Sequence, residues 1–304
     1  MSSRPRILIV GSAGQVGVEL QRSFCDAGEI TGRDRDTVDL AVPEQVREMV
    51  RSAEPDIILN AAAYTAVDRA ESEPEVAMAV NAQSTRILAE EAKRTSALLV
   101  HYSTDYVFDG SKVGPWVETD KPNPQNVYGV SKLAGEEAIQ QVGGKYLIFR
   151  TSWVYGPHGS NFLLTMLRLG RERDSLNIVD DQIGAPTTSI ELANATCTIV
   201  SGVLTGQFGS ESNWAGLYHM TCGGSVSWCG FAQAIFARSQ AQLAGKSPTV
   251  HPIPSSAYPT PAKRPHNSVL SNEKLYERFG VRLSHWEIAL DNVLGVLSVH
   301  QKQA

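Results

Sequence analysis

Tyr128 and Lys132 stand four apart in the run Val127-Tyr-Gly-Val-Ser-Lys132. On a helix such residues share a face, about 5–6 Å apart at Cβ. An ammonium at that distance favours a phenolate, so Lys132 is expected to draw the Tyr128 pKa down from its ordinary value of about 10. A phenol so placed gives or takes a proton near working pH. Alone, the pair also reads as an ordinary surface pair of a helix. Two further motifs argue for chemistry.

The first is Gly11-Ser-Ala-Gly14-Gln-Val-Gly17, which follows the apolar run Ile7–Val10 and opens a segment of helical spacing. In a strand-turn-helix setting, glycines let the backbone approach a pyrophosphate, and the helix start offers free N–H groups. The spacing is G-x-x-G-x-x-G rather than the commoner G-x-G-x-x-G. The reading is dinucleotide binding by Gly11, Gly14, Gln15, Val16 and Gly17. An acid about 20 residues further on holds the adenosine ribose in such sites, and Asp34 fits. Its neighbours Arg33 and Arg35 equally suit a 2′-phosphate or a solvated turn, so NADH and NADPH both stay open. Asp39 and Leu40 come next and are expected to flank the adenine.

The second motif is Ser103-Thr104-Asp105, at the end of the apolar run Leu98–Ser103. A hydroxyl at a strand end can hydrogen-bond a carbonyl and hold it more strongly as negative charge develops. A Ser/Thr cap of the next turn is the plain alternative. The seven histidines show no ligand spacing, and no G-x-S-x-G elbow is present.

These residues need a scaffold. Ile7–Val10, Glu29–Thr31 (a poor strand on composition), Asp56–Asn60, Leu98–Ser103 and Tyr146–Thr151 read as strands. Val16–Phe24, Pro43–Ala53, Pro74–Lys93 and the Tyr128 segment read as helices. Strands alternating with helices predict an α/β fold of Rossmann type, a doubly wound parallel sheet. Ligands in such sheets bind beyond the carboxyl ends of strands, where Gly11, Ala61–Thr65, Ser103–Asp105 and Thr151–Trp153 should converge.

The second half differs. Residues 205–216, rich in Gly, Ser and Thr, predict a loop. The six prolines between 247 and 265 exclude a helix or a central strand there. Lys263 and Arg264 end this stretch beside Asn267 and Ser268, a set suited to gripping a phosphate. The division expected is 1–155 for the dinucleotide domain, with later segments returning to it, and 156–304 mainly for a smaller α/β substrate lobe.

Bulk properties narrow the class. With 304 residues, 42% hydrophobic and 19% charged, the chain is an ordinary globular protein of one or two domains. A net charge of −5 argues against nucleic acid as a partner. Cys25, Cys197, Cys222 and Cys229 are scattered, which predicts reduced thiols and neither a metal cluster nor a disulfide framework. No run approaches the ~18 apolar residues of a membrane span. The expectation is a cytoplasmic protein without a membrane partner.

Together the glycine run, Ser103-Thr104 and Tyr128-x-x-x-Lys132 resemble the extended short-chain dehydrogenase/reductase superfamily. Within it, Gly14–Gly17, Asn60–Asp68, His101–Asp109, Val127–Lys132, Phe149–Tyr155, Asp181–Thr187 and Ala257–Pro265 are similar to the dTDP-4-dehydrorhamnose reductase family, from about Ile7 to Trp286. The resemblance implies reduction of a nucleotide-linked 4-keto sugar, dTDP-4-dehydro-L-rhamnose, with NADPH or NADH, for polysaccharide biosynthesis. Tyr128 would protonate the C4 oxygen. Lys132 would hold the nicotinamide ribose, and Thr104 the reacting carbonyl. Asp105, Trp153, Thr65 and Val67 would line the sugar pocket. Ala63, Tyr64, Thr65 and Tyr102 would complete the cofactor site. Arg264, with Asn267 nearby, is assigned to the substrate diphosphate.

Some members bind Mg2+ at a dimer interface through acidic side chains. Two of those positions here are Ile190 and Val296, and Glu19 alone keeps its carboxylate, with Glu191 adjacent. No metal ligand is therefore assigned, and monomer and homodimer stay open. Two other readings stand beside the first. One is reduction of a different nucleotide-linked 4-keto sugar. The other is a non-catalytic cofactor-binding subunit, like the regulatory subunit of methionine adenosyltransferase in the same superfamily. The intact Thr104, Tyr128 and Lys132 set argues against the latter.

Overall fold

The central strands are apolar on both sides, and both sides are covered. Ile7, Ile9, Ile57, Leu59, Leu98, Val100, Leu147 and Phe149 pack with Leu20 and Phe24, with Leu192 and Ile199, and with Leu290 and Val293. Leu8, Val10, Ile58, Leu99 and Ile148 pack instead with Val46, Met49 and Val50, with Ile87 and Leu88, and with Ile139. The period-2 alternation of a strand sorts these residues into two cores. On one side lie helices Gln15–Ser23, Ser189–Leu204 and Trp286–Gln303. On the other lie Pro43–Ala53, Ser84–Thr95 and Val127–Val142. This is the doubly wound α/β architecture. The computed structural model describes residues 4–240, 242–243, 245 and 247–303, so residues 1–3 of the expected first domain and 241, 244, 246 and 304 of the expected lobe lie outside it.

The sheet has six strands in the spatial order Gly216–His219, Tyr146–Thr151, Leu98–Thr104, Ile57–Asn60, Arg6–Val10, Glu29–Arg33. Every neighbouring pair is parallel. The chain leaves Arg6–Val10 for the strand on one side, then crosses to Ile57–Asn60 on the other. The crevice at that switch point is where such folds bind ligands. The polar strand Glu29–Arg33 is at the edge and pairs with Arg6–Val10, which explains its weak composition signal.

Two readings need correction. The expected single helix Pro74–Lys93 is Pro74–Met78, a π turn at Ala79–Gln83, and Ser84–Thr95. The extra residue of the π turn turns Asn81 inward, where its amide bonds the Tyr64 backbone and Ser131. The expected loop 205–216 contains a helical turn, Glu211–Trp214, anchored by the buried Trp214. Immediately after it, Gly216–His219 forms the sixth strand, which has no clear signature in the sequence. In the proline-rich stretch, Thr249–Ile253 is a strand containing Pro252. Its sheet has two strands only, with Ser175–Val179, so the missing N–H lies on an edge.

The remaining small strand pairs join Val154–Tyr155 to Thr187–Thr188 and Ile183–Gly184 to Val226–Ser227. Among the described residues, no helix is long and apolar enough to cross a membrane.

Candidate active site

The glycine turn is built for close approach. Gly11 has φ +82, and a Cβ on it would lie 2.7 Å from the Ala62 nitrogen. A Cβ on Gly17 would lie 2.1 Å from the Gly11 carbonyl oxygen. Any side chain at either position would push the turn off the Ala61–Thr65 segment or lift the helix off the turn. Gly14 is the N-cap of Gln15–Ser23 and has no side-chain cap, so the first-turn N–H groups are left to an anion. The turn is bonded to the edge strand through Gly11 N and Ser12 N to the Arg33 carbonyl, at 2.7 and 3.0 Å. That places Asp34 directly beside it. The Asp34 carboxylate closes its own turn by accepting from Asp36 N. Asp39 does the same with Ala41 N, and Leu40 packs on the second core. Gln15 Oε1 accepts from Asn161 Nδ2 at 2.8 Å, which ties the turn to the second half of the chain. This cradle fits a dinucleotide.

Across the crevice, the strand Leu98–Thr104 ends in Thr104. The helix Val127–Val142 begins beside it, its first turn capped by Asn126 Oδ1 on Gly129 N at 2.8 Å. Gly129 lets the helix come this close, because a Cβ there would lie 2.2 Å from the Tyr106 carbonyl oxygen. The Tyr106 and Tyr128 rings meet edge to face at 5.5 Å. The Thr104 hydroxyl faces the Tyr128 phenol, lowering its pKa, and donates to Asp105 Oδ1 at 3.1 Å. Thr104 thus sits between a carboxyl and a phenol, and its oxygen also takes the Tyr106 N–H.

Electrostatics correct one expectation. Tyr128 is not made more acidic: burial of the phenol pushes its pKa up to about 12, with the Thr104 hydroxyl pulling the other way. Lys132 is buried, and its Nζ donates to the Tyr102 carbonyl at 2.6 Å and lies 3.2 Å from His101 Nε2. The ammonium is turned to the strand rather than to the phenol. Its burial lowers its own pKa to about 8, with Glu136 opposing. Desolvation outweighs pairing at both groups. Asp105 is 2% exposed, and burial raises its carboxyl to about 6.

Other expected residues are placed as follows. Tyr102, expected at the cofactor site, turns its ring into the core, where its hydroxyl meets Thr196 Oγ1 at 2.7 Å, and its carbonyl accepts from Lys132. Ala63, Tyr64 and Thr65 follow the strand Ile57–Asn60 at the crevice, and the Tyr64 hydroxyl is bonded to Glu73. Val67 opens a short helix beside them. Trp153 follows the strand next to Thr104 and has φ +48. Its indole stacks on Trp228 at 3.5 Å, with Gly184 directly against it. Arg264, expected at the substrate diphosphate, forks onto Asp68 at 2.7 and 3.0 Å. The Asn267 amide likewise pins the Lys112 and Gly114 carbonyls.

Sequence reasoning passed over Asn60, Asn81, His101, Gly129 and Glu136. Glu136, one turn beyond Lys132, forms a buried fork with Arg150 at 2.6 and 2.8 Å. His101 was legible only as part of the string around Thr104. The strand alternation that puts it opposite Lys132 was a usable signal.

The Mg2+ donor set does not fit. Glu19 is engaged by Arg22 at 3.1 Å and lies 3.4 Å from His158. Ile190 packs on the core, and Glu191 accepts the Ser284 hydroxyl. One paired carboxylate with the hydrocarbons Ile190 and Val296 lacks the oxygens this ion needs.

A family model described as the RmlD substrate binding domain matches residues 5–299. The dTDP-4-dehydrorhamnose reductase of Burkholderia thailandensis is 49% identical over 289 residues, covering 94% of this chain and 96% of that protein. The enzyme of that name from Escherichia coli is 45% identical over 298 residues, covering 96% and 97%. A crystal structure of dTDP-4-dehydrorhamnose reductase from Bacillus anthracis in complex with NADP has a TM-score of 0.87 and 34% identity, covering 96% of this chain and 99% of that one.

Proposed function

The chain belongs to the RmlD substrate binding domain family, and we propose that it reduces the C4 ketone of dTDP-4-dehydro-L-rhamnose to the alcohol of dTDP-L-rhamnose. The observation that carries this reading is the Thr104 hydroxyl set beside the Tyr128 phenol, standing across the crevice from a glycine turn that admits no side chain at Gly11 or Gly17. A carbonyl oxygen set between the Thr104 and Tyr128 hydroxyls meets a charge-stabilising donor and a proton source together.

The reduced nicotinamide, when bound, supplies the hydride. Gly11, Gly14, Gln15, Val16 and Gly17 hold the pyrophosphate. Asp34 holds the adenosine ribose, with Asp39 and Leu40 beside the adenine. Ala63, Tyr64 and Thr65 border the second side, and Lys132 with Tyr128 receives the nicotinamide ribose. Tyr128 keeps its proton well above neutral pH, so it enters the reaction as a donor. It gives that proton to the C4 oxygen as the ketone becomes an alcohol, and the phenolate left behind is refilled from solvent. Trp153, Asp105, Thr65 and Val67 line the sugar pocket. Arg264 reaches the diphosphate from its station on Asp68. Dinucleotide binding is assigned to 1–155 and substrate binding mainly to 156–304.

The test couples the upstream dTDP-glucose dehydratase and epimerase to the purified protein. Absorbance of NADH and NADPH is followed in separate reactions. Oxidation of either nucleotide, dependent on the keto sugar, is the expected result. No oxidation of either, with active upstream enzymes, removes the proposal.

A further inference from the structure

We propose that His101 is a positioning residue for Lys132: an uncharged imidazole that accepts a hydrogen bond from the ammonium at Nε2 and is itself fixed through Nδ1 by Asn60. The inference rests on the role given to Lys132 above.

His101 is fully buried on the strand Leu98–Thr104 and faces the helix that carries Lys132. Both ring nitrogens are engaged, Nε2 with Lys132 Nζ at 3.2 Å and Nδ1 with Asn60 Nδ2 at 3.0 Å. Asn60 is its register partner on the next strand, so the ladder between the two strands sets the spacing. Burial and the Lys132 charge both hold the imidazole neutral. A neutral ring has one donor and one acceptor nitrogen. If Nε2 accepts from the ammonium, Nδ1 carries the hydrogen and needs an acceptor. Asn60 Oδ1 is buried and has no partner, and turning the amide end for end brings it against Nδ1. With Lys132 uncharged, the hydrogens run the other way: Asn60 Nδ2 donates to Nδ1, and Nε2–H donates to the amine. Each charge state of Lys132 thus has its own proton arrangement, the charged one with the Asn60 amide turned.

The other groups around Lys132 do not replace this one. Glu136 is one turn along the same helix and is forked by Arg150. Tyr128 is one turn back. From the facing strand come the Tyr102 carbonyl and the His101 ring. Without the ring, the ammonium loses one of its two partners on the strand in a desolvated site and is held by the Tyr102 carbonyl alone.

The experiment compares His101→Leu, His101→Gln and Lys132→Met in the full chain, with thermal melts as a check on folding. For His101→Leu the expectation is a fall in kcat of about tenfold, with the sugar-nucleotide KM within about twofold. The alkaline limb of kcat/KM should also move to lower pH, because losing an acceptor disfavours the charged amine. Glutamine puts an amide oxygen near the Nε2 position, so His101→Gln should return the limb toward its wild-type place. A folded His101→Leu variant with unchanged kcat and limb overturns the proposal. Activity in Lys132→Met removes instead the reading on which it rests. Should His101→Leu not fold, 15N spectra of the wild-type imidazole at neutral pH decide: hydrogen on Nδ1 supports the proposal and hydrogen on Nε2 overturns it.

Discussion

Lys132 Nζ lies 2.6 Å from the carbonyl oxygen of Tyr102, on the strand that ends in Thr104. Lys132 and Tyr128 share a helical face, yet the ammonium is held by the neighbouring strand. The phenol is consequently governed by desolvation and stays protonated through the neutral range. A proton donor, not a base, is the state this arrangement maintains.

Replacing Tyr128 with phenylalanine removes that proton and little volume. Turnover in Tyr128→Phe is expected to fall by about 10^2 to 10^4, with nucleotide affinity retained. Steady-state rates and a fluorescence titration with NADPH give the two readings. Substantial residual turnover would contradict the role.

Lys132 has a pKa lowered to about 8, so it carries its charge below that pH and loses it above. If the charge is what serves the nicotinamide ribose, kcat/KM falls as pH rises through about 8. A profile flat from pH 7 to 10 would count against a charged Lys132. This limb belongs to the free enzyme.

Asp105 carries a stability signature. Its carboxyl is raised to about 6 in the folded chain against about 3.9 when unfolded. Between those values the folded state binds more protons, so this group's contribution to stability falls as pH rises. Asp105→Asn should match the parent near pH 4 and exceed it near pH 7 by on the order of 2–3 kcal/mol. Urea denaturation at both pH values checks this, and a difference independent of pH would refute it.

Arg264 supports a binding prediction. Arg264→Ala is expected to raise the sugar-nucleotide KM by about tenfold or more and to leave the NADPH Kd within about twofold. Equal losses for both ligands would rule out a diphosphate contact. The Asp68 fork is partly exposed, at 23% and 41% for the two side chains, so the variant should lose no more than about 1 kcal/mol of stability.

The Glu136–Arg150 fork is buried, at 2% and 3% exposure. Removing one charge strands the other, so Glu136→Gln should lower stability by about 3–5 kcal/mol. A shift within error in the urea midpoint would mean that Arg150 finds another partner.

The sheet core was legible because apolar runs such as Ile7–Val10 and Leu98–Ser103 have no competing reading. The glycine turn was legible because its sequence position after a strand leaves few other uses. The π turn at Ala79–Gln83 was not, since its residues fit an ordinary helix and only the tertiary demand of Asn81 distinguishes it. Gly216–His219 was hidden by its short length and its loop-like leader. The direction of the Tyr128 shift was missed for a physical reason: helical spacing gives Cβ distances, whereas the pKa depends on which way a four-carbon stem points and how deeply it is enclosed.

The sheet edge beside Tyr146–Thr151 is finished by Gly216–His219. During synthesis the ribosome has therefore made the glycine turn, Thr104, Tyr128 and Lys132 well before the strand that covers that edge. In the interval a nascent chain presents an open row of backbone donors and acceptors flanked by Leu147 and Phe149, a template for pairing with other chains. Pausing or truncation between these two strands should leave an aggregation-prone product rather than a free-standing nucleotide binder.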